Sequence, residues 1–332
     1  MVKRKILKVG NPIANCYSKL GAVFSILQPH EETLPWLYYN YTHFLFFYNE
    51  STGLSWVDLC NAAFPIQIHE WIACPFLKCN TYSYDDFAKE NILELFTDFI
   101  DDGRFIYLSL NRKYLKKLNE IEDFIHDTLI KGYDLEERQF LCQDFYNGKY
   151  SEKWFPVHEV IDAFKNNSTK PDEDSLGEVF TLKYHDPIRF PYNETVKIKE
   201  EVVKNNIKRI CDNVEIPGSE VLITNGTECV PDLLVYDKLA DNLISGACSL
   251  KDIRPFYAIR THVRLLEAQT TYWKLGNHKK IEMLIHKTEL MCYQCLSLYL
   301  RAIREERKIN VIGIANHLHQ IKELERNFIN TI

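Results

Sequence analysis

The chain is poor in glycine and proline, with only 12 of each in 332 residues. Disordered segments and flexible linkers are usually rich in these residues, so their scarcity argues against a disordered protein. It also argues against a glycine-rich loop that would cradle a phosphate group. We therefore expect a globular chain that does not use a nucleotide-binding loop.

Long hydrophobic runs are also missing. No stretch approaches the roughly 20 apolar residues that a membrane span requires. The first residues, MVKRKILKVG, are basic but contain no apolar core of the length that a signal peptide needs. These absences predict a cytoplasmic protein without a membrane partner, and the ten cysteines are then expected to be reduced thiols.

An excess of positive charge is absent as well. The net charge is −6 and the isoelectric point is about 6.0, so nucleic acid is not an expected partner. The charge is uneven, because residues 251–332 contain 14 Lys and Arg against 8 Asp and Glu. This basic part could attract an acidic partner, or it could be the solvated surface of helices.

Length and pattern indicate two domains. A chain of 332 residues with 46% hydrophobic residues exceeds the usual size of one domain. Helical and strand patterns alternate in the first half, residues 165–177 look like an exposed loop or linker, and the chain after residue 250 is helical almost throughout. We predict an α+β fold with a first domain over residues 1–190 and a mainly helical one over residues 191–332.

Cys16 is the first residue that suggests chemistry. Asn15 is a suitable N-cap, and the apolar residues that follow lie on one helical face: Leu20, Val23, Phe24 and Leu27. Cys16 would then occupy the first helical turn, where unpaired N–H groups and the helix dipole favour a thiolate. The alternative is a buried, inert cysteine.

His126 opens the strand pattern at 124–133, and a second strand at 139–145 follows a short turn. A turn centred on residues 135–136 would place His126 opposite residue 144 or 145, so Asp144 would lie within reach. Asp134 is the other candidate partner, but it lies about 26 Å away along an extended strand and is better explained as a turn residue. The alternative for His126 is a structural role in the strand.

A cysteine at the start of an early helix, a histidine opening a hairpin strand and an aspartate on the next strand resemble the papain-like order. The spacing of these residues is similar to that of the bacteriocin-processing cysteine peptidases. The segments at 15–27, 105–115 and 126–145 resemble the butirosin biosynthesis protein H family more closely, and this resemblance covers about residues 10–165. The helical segment at 254–269 also looks similar to the C-terminal parts of such proteins.

The resemblance implies a papain-like fold in which Cys16 is the nucleophile, His126 the base and later the acid, and Asp144 the orienting carboxylate. It implies transfer of an aminoacyl or peptidyl group from a carrier-protein thioester to an amine, in antibiotic or other specialised-metabolite biosynthesis. An acyl or peptidyl carrier protein would be the partner, and a small molecule or peptide amine the acceptor. No cofactor is implied beyond the phosphopantetheine arm of the donor.

Two other functions remain open. A peptidase or thioesterase would share the acyl-enzyme step but pass the acyl group to water. A catalytically silent binding or scaffold protein would keep only the fold.

One departure bears on this choice: papain-like enzymes carry a glutamine about six residues before the cysteine, whereas position 10 here is glycine. Asn11 and Asn15 are weak substitutes as oxyanion donors. Loss of one such donor lowers a rate by about 10²–10³-fold.

The C-terminal part contains two further features. Cys292 and Cys295 have the spacing of a zinc ligand pair, but the chain has no second such pair, and both fall within a predicted helix, so we expect them in the core and predict no metal site. Arg254, Arg260 and Arg264 are candidates for docking a carrier protein.

Overall fold

The computed structural model describes residues 3–49, 51, 54–60, 71, 74–87, 89–167, 178–185, 198–212, 227–247, 252–303 and 311–332. The fold is α+β with antiparallel sheets, as expected. The chain forms two compact units, unit 1 with residues 1–33 and 70–193, and unit 2 with residues 34–69 and 194–332. The late boundary lies close to the predicted one at 190. Residues 34–69 differ from the prediction, because they leave the first unit and belong to the second.

The strands, in chain order, are β1 (Arg4–Ile6), β2 (His43–Asn49), β3 (Leu54–Cys60), β4 (Leu77–Ser83), β5 (Phe105–Asn111), β6 (Ile125–Asp134), β7 (Gln139–Tyr146), β8 (Lys149–Pro156), β9 (Glu178–Tyr184) and β10 (Thr227–Pro231). The helices are α1 (Ser18–Leu27), α2 (Leu34–Asn40), α3 (Tyr84–Phe87), α4 (Ile92–Asp101), α5 (Val157–Lys165), α6 (Glu200–Asp212), α7 (Leu233–Ser245), α8 (Arg254–Tyr272), α9 (His278–Ile303) and α10 (Ile312–Ile329).

Unit 1 is built on a seven-stranded antiparallel sheet. Its order is β4-β9-β5-β6-β7-β8, and β1 pairs with the end of β6 that extends beyond β5. Helices α4 and α5 pack with the sheet into one apolar core, and α1 packs against β6 and β7. Every residue of β5 is buried, as expected for a strand inside a covered sheet.

The β6–β7 hairpin confirms the predicted strands but not the predicted register. The loop covers residues 135–138, so Asp134 pairs with Gln139, and a bulge shifts the pairing so that Leu129 faces Gln143. Continuing this register would put Thr128, rather than His126, opposite Asp144. The register differs because the turn is centred on residues 136–137, one residue later than predicted, and the bulge between Ile130 and Gly132 moves the pairing back by one residue.

The two hairpin strands separate near their open end. Pairing between β6 and β7 runs from Asp134–Gln139 to Leu129–Gln143. Strand β6 nevertheless continues to pair with β5 as far as Ile125, and β7 with β8 as far as Tyr146.

Helix α1 begins later than predicted. Its N-cap is Tyr17, whose side chain does not cap the helix, and Cys16 therefore precedes the N-cap instead of lying in the first turn. The predicted cap at Asn15 is wrong, because Asn15 lies two residues before the N-cap, and its amide nitrogen donates to the carbonyl of Pro12 at 3.4 Å. The predicted apolar face is confirmed, since its four residues are fully buried.

Other elements agree with the broad pattern. Helices and strands alternate in the first half of the chain, and the aromatic segment 34–48 is α2 followed by β2. The predicted helical character after residue 250 is confirmed by α8, α9 and α10. Most of the predicted linker, at 168–177, lies outside the described residues.

Unit 2 combines helices with the antiparallel sheet β10-β2-β3. It also buries two polar groups of side chains. His43 lies between Asp232 at 2.9 Å and Asn206 at 3.1 Å, and Glu325 accepts from His262 at 2.9 Å and from the hydroxyl of Tyr236. Both ring nitrogens of His43 are engaged, so this imidazole is a structural link. Among the helices that the structure describes, none is long and apolar enough to cross a membrane.

The close packing of α1 against the sheet depends on Gly21. A Cβ atom at this position would lie 2.5 Å from the ring of Tyr150 on β8. We predict that Gly21→Ala lowers the free energy of unfolding by about 1–3 kcal/mol through overpacking, although alanine is the better helix former. Urea denaturation followed by circular dichroism measures this change.

The matched control is Gly313→Ala in α10, where an added Cβ has no neighbour within 4 Å. That variant is expected to lose no stability. A Gly21→Ala protein as stable as Gly313→Ala would contradict the close packing of α1 on β8.

Candidate active site

His126 and Asp144 meet at the open end of the hairpin, where β6 and β7 separate. The Nδ1 atom of His126 lies 2.9 Å from Oδ1 and 3.1 Å from Oδ2 of Asp144. The predicted contact between these two side chains is therefore present, although it joins diagonal neighbours on one face of the hairpin and not directly opposed residues.

Asp144 is fully buried and accepts several hydrogen bonds. Its Oδ1 accepts from the Ser18 hydroxyl at 3.3 Å and from the Phe145 backbone N–H at 2.6 Å, and its Oδ2 accepts from the Thr128 hydroxyl at 3.3 Å. Arg112 Nη1 lies 3.9 Å from Oδ2. Donors from α1, β6 and β7 therefore hold the carboxylate in one place.

The pairing determines how His126 can exchange protons. An ionised carboxylate only accepts, so Nδ1 must carry the proton, and in the neutral ring Nε2 is the basic nitrogen. Burial lowers the pKa of His126, but the hydrogen bond from Nδ1 and the charge of Asp144 outweigh it, so the pKa lies above its usual 6.5. The side chain remains 28% exposed, and its ring lies 5.5 Å from that of Phe124.

Cys16 lies two residues before a side chain that contacts this pair. Ser18, which donates to Asp144, is two residues after Cys16, and two residues span at most about 7 Å. Cys16 is half-buried and directly precedes the N-cap of α1, near the positive end of the helix. The sequence-predicted residues Cys16, His126 and Asp144 thus belong to one region of unit 1.

Other cysteines lie in settings that disfavour a thiolate. Burial raises the pKa of Cys74 to about 12 and that of Cys79 to about 11. In unit 2, burial likewise raises the pKa of Cys292 to about 12, and its Sγ lies 3.5 Å from the Phe256 carbonyl. These thiols are expected to be poor nucleophiles at neutral pH.

The side chains predicted as oxyanion donors are those of Asn11 and Asn15. Asn11 is exposed, and its neighbours contact the C-terminal part of α1: Gly10 N–H donates to the Ser25 carbonyl at 2.8 Å, and Ile13 N–H to the Gln28 side chain at 2.9 Å. Asn11 is therefore near the end of α1 opposite to Cys16. Asn15 adjoins Cys16, but its amide points to Pro12.

Asp134 occupies the closed end of the hairpin. Its Oδ1 accepts the backbone N–H groups of Glu136 and Glu137 at 3.1 and 3.0 Å, which is the geometry of a turn-forming aspartate. Arg4 also lies 3.5 Å from this carboxylate.

The sequence analysis missed three residues that contact Asp144. Thr128 had a usable signal, because it shares a face with His126 two residues earlier on the strand. Ser18 and Arg112 had none, since their proximity to Asp144 comes from how α1 and the end of β5 pack against the hairpin.

The described residues contain no group of three or more His, Cys, Asp or Glu side chains that could hold a metal ion. Cys292 and Cys295 are both buried on α9. No protein-family model matches the chain, and no curated protein matches it.

Asp144 should control the pKa of His126. We predict that Asp144→Asn lowers the His126 pKa by about 1–3 units, because burial then acts without the opposing carboxylate. NMR titration of the assigned imidazole measures the shift. Asp134→Asn, on the same hairpin, is the control and should leave the His126 pKa unchanged. Equal effects of the two variants would contradict the assignment of Asp144 as the partner.

Proposed function

We propose that unit 1 is a papain-like cysteine acyltransferase domain in which Cys16, His126 and Asp144 carry the reaction. The supporting observation is the contact of His126 with a buried carboxylate that also binds Ser18, two residues from Cys16. A nucleophile, a base and a group that orients the base are the parts that covalent acyl transfer requires.

In the proposed reaction, Nε2 of His126 takes the proton of the Cys16 thiol, and Asp144 stabilises the resulting imidazolium. The thiolate attacks the carbonyl carbon of a thioester. The donor's C–S bond then breaks, and its thiol leaves with the proton from His126. An amine attacks the acyl-Cys16 intermediate and loses a proton to His126. The C–S bond to Cys16 breaks, and Cys16 regains its proton.

The negative oxygen of the tetrahedral intermediate needs hydrogen-bond donors. Backbone N–H groups in the first turn of a helix are oriented outwards along its axis, and α1 presents this end next to Cys16. We propose these N–H groups, together with that of Cys16, as the oxyanion donors. This choice requires neither Asn11 nor the glutamine that papain-like enzymes carry upstream.

The donor and acceptor are proposed from the resemblance to the butirosin biosynthesis protein H family. The donor would be an acyl or peptidyl carrier protein with a phosphopantetheine thioester, and the acceptor an amine of a small molecule or peptide in specialised metabolism. A carrier-docking role for Arg254, Arg260 and Arg264 has less support. Arg254 pairs with Asp252, and the other two pair with Glu289, each at 2.8 Å.

We predict that iodoacetamide labels Cys16 first and that His126→Ala slows this labelling by tenfold or more, because the base is lost. Peptide mass mapping over a series of pH values measures both effects. Cys79, which is half-buried with a pKa of about 11, is the internal control and should label slowly in both proteins.

The reaction type is tested with an acyl N-acetylcysteamine thioester. An acyl mass increase on Cys16, absent in Cys16→Ala, is expected, followed by transfer to an added amine. Release of free acid even with amine present would favour the peptidase or thioesterase alternative. A Cys16 no more reactive than Cys79 would contradict a catalytic role and favour a binding protein.

A further inference from the structure

Arg112 is a buried cation at the candidate site. It follows the last residue of β5 and is only 6% exposed. Its backbone N–H donates to the Phe124 carbonyl at 2.8 Å, and its guanidinium lies over the Phe124 and Tyr146 rings, 5.2 and 5.7 Å from their centroids. These contacts hold the guanidinium close to Asp144.

The charge of Arg112 has one nearby compensating group. Burying an unpaired guanidinium is costly, and Asp144, 3.9 Å away, is the carboxylate with which Arg112 pairs in the part of the chain that the structure describes. The shorter contact runs from Nη2 to the Phe145 carbonyl at 2.7 Å. Arg112 therefore holds the β7 main chain next to Asp144, while its charge faces the carboxylate without occupying the position of His126.

We propose that Arg112 is a positioning residue of this site: it fixes Asp144 through the β7 main chain, and its charge offsets part of the pull of that carboxylate on the His126 proton. This role rests on the proposed function, in which His126 takes the proton of Cys16 and must later release it. The geometry itself concerns only Arg112, Asp144 and His126.

Three charged side chains on neighbouring elements change the pKa of His126. Asp144 on β7 and Asp127 on β6 raise the His126 pKa, whereas Arg112 after β5 lowers it. Asp127 points to the opposite face of β6, where the hydroxyls of Ser109 and Tyr107 donate to it at 2.6 and 3.1 Å. Beside Asp144, burial raises the pKa values of the uncharged groups Cys142, Tyr146 and Tyr150.

A base works best when its pKa lies near the working pH. With Asp144 alone, His126 would retain its proton over a wider pH range and act less readily as the base. The nearby positive charge of Arg112 reduces this retention without removing the hydrogen bond that orients the ring.

Two variants compare a neutral and a charged polar side chain at position 112. Arg112→Gln removes the charge and keeps a shorter side chain with an amide donor, whereas Arg112→Lys retains the charge. We expect Arg112→Gln to raise the His126 pKa by about 1 unit and Arg112→Lys to leave it within about 0.3 unit of wild type. NMR titration of His126 in the full chain measures the pKa without requiring activity.

An unchanged His126 pKa in Arg112→Gln, or an equal shift in both variants, would overturn the proposal. Arg112→Met serves as a second neutral variant if the glutamine protein does not fold, and it should give the same upward shift. Iodoacetamide labelling of Cys16 in wild type and His126→Ala is carried out in parallel. A shifted His126 pKa with an unreactive Cys16 would reject the proposed acyl transfer and retain the role of Arg112.

Discussion

The hydrogen bond between His126 and the buried carboxylate of Asp144 is the interaction on which the candidate site depends. It fixes the tautomer of the ring, because an acceptor at Nδ1 leaves Nε2 as the basic nitrogen. It also overcomes the effect of burial, which alone would lower the His126 pKa. The bond is a diagonal contact between the two strands: the register continued past Leu129 and Gln143 places Thr128 opposite Asp144, and His126 lies two residues farther along β6 on the same face.

The surroundings of Asp144 explain why a fully buried carboxylate is tolerated there. Hydroxyls from Ser18 and Thr128 and the Phe145 N–H satisfy its oxygens, and the Arg112 guanidinium supplies a compensating charge. The donors come from α1, β6, β7 and the end of β5. The carboxylate thus joins the helix that follows Cys16 to the strand that carries His126, and the geometry of the site is linked to the packing of α1 on the sheet.

Local sequence patterns predicted many elements of unit 1. The features that were not predicted depend on contacts between residues far apart in the chain. The strand pair at 124–145 and the buried face of α1 follow from period and turn residues. The contact of His126 with Asp144 was predicted from direct opposition, whereas the observed register makes the two residues diagonal neighbours. The start of α1 was placed too early, because asparagine is a good N-cap in general, but here the helix begins at Ser18 with Tyr17 as its N-cap. The transfer of residues 34–69 to unit 2 could not be predicted, since β2 pairs with β10, which lies almost two hundred residues later in the chain. Arg112 left no signal because its role depends on tertiary contacts.

The position of Cys16 follows from how tightly the segment around α1 is held. Residues 10–13 run back along the helix, where Gly10 bonds to Ser25 and Ile13 to the Gln28 side chain. On the other side, the Gln143 amide donates to the Ser25 hydroxyl at 3.1 Å, and Tyr150 lies against Gly21. This packing directs the N-terminal end of α1 towards Asp144 while keeping Asn11 near the opposite end. An oxyanion formed at Cys16 would therefore meet backbone N–H groups of the helix start before any upstream amide side chain. The packing of α1 thus places the unpaired backbone N–H groups of the helix start, and not the side chain of Asn11, next to Cys16.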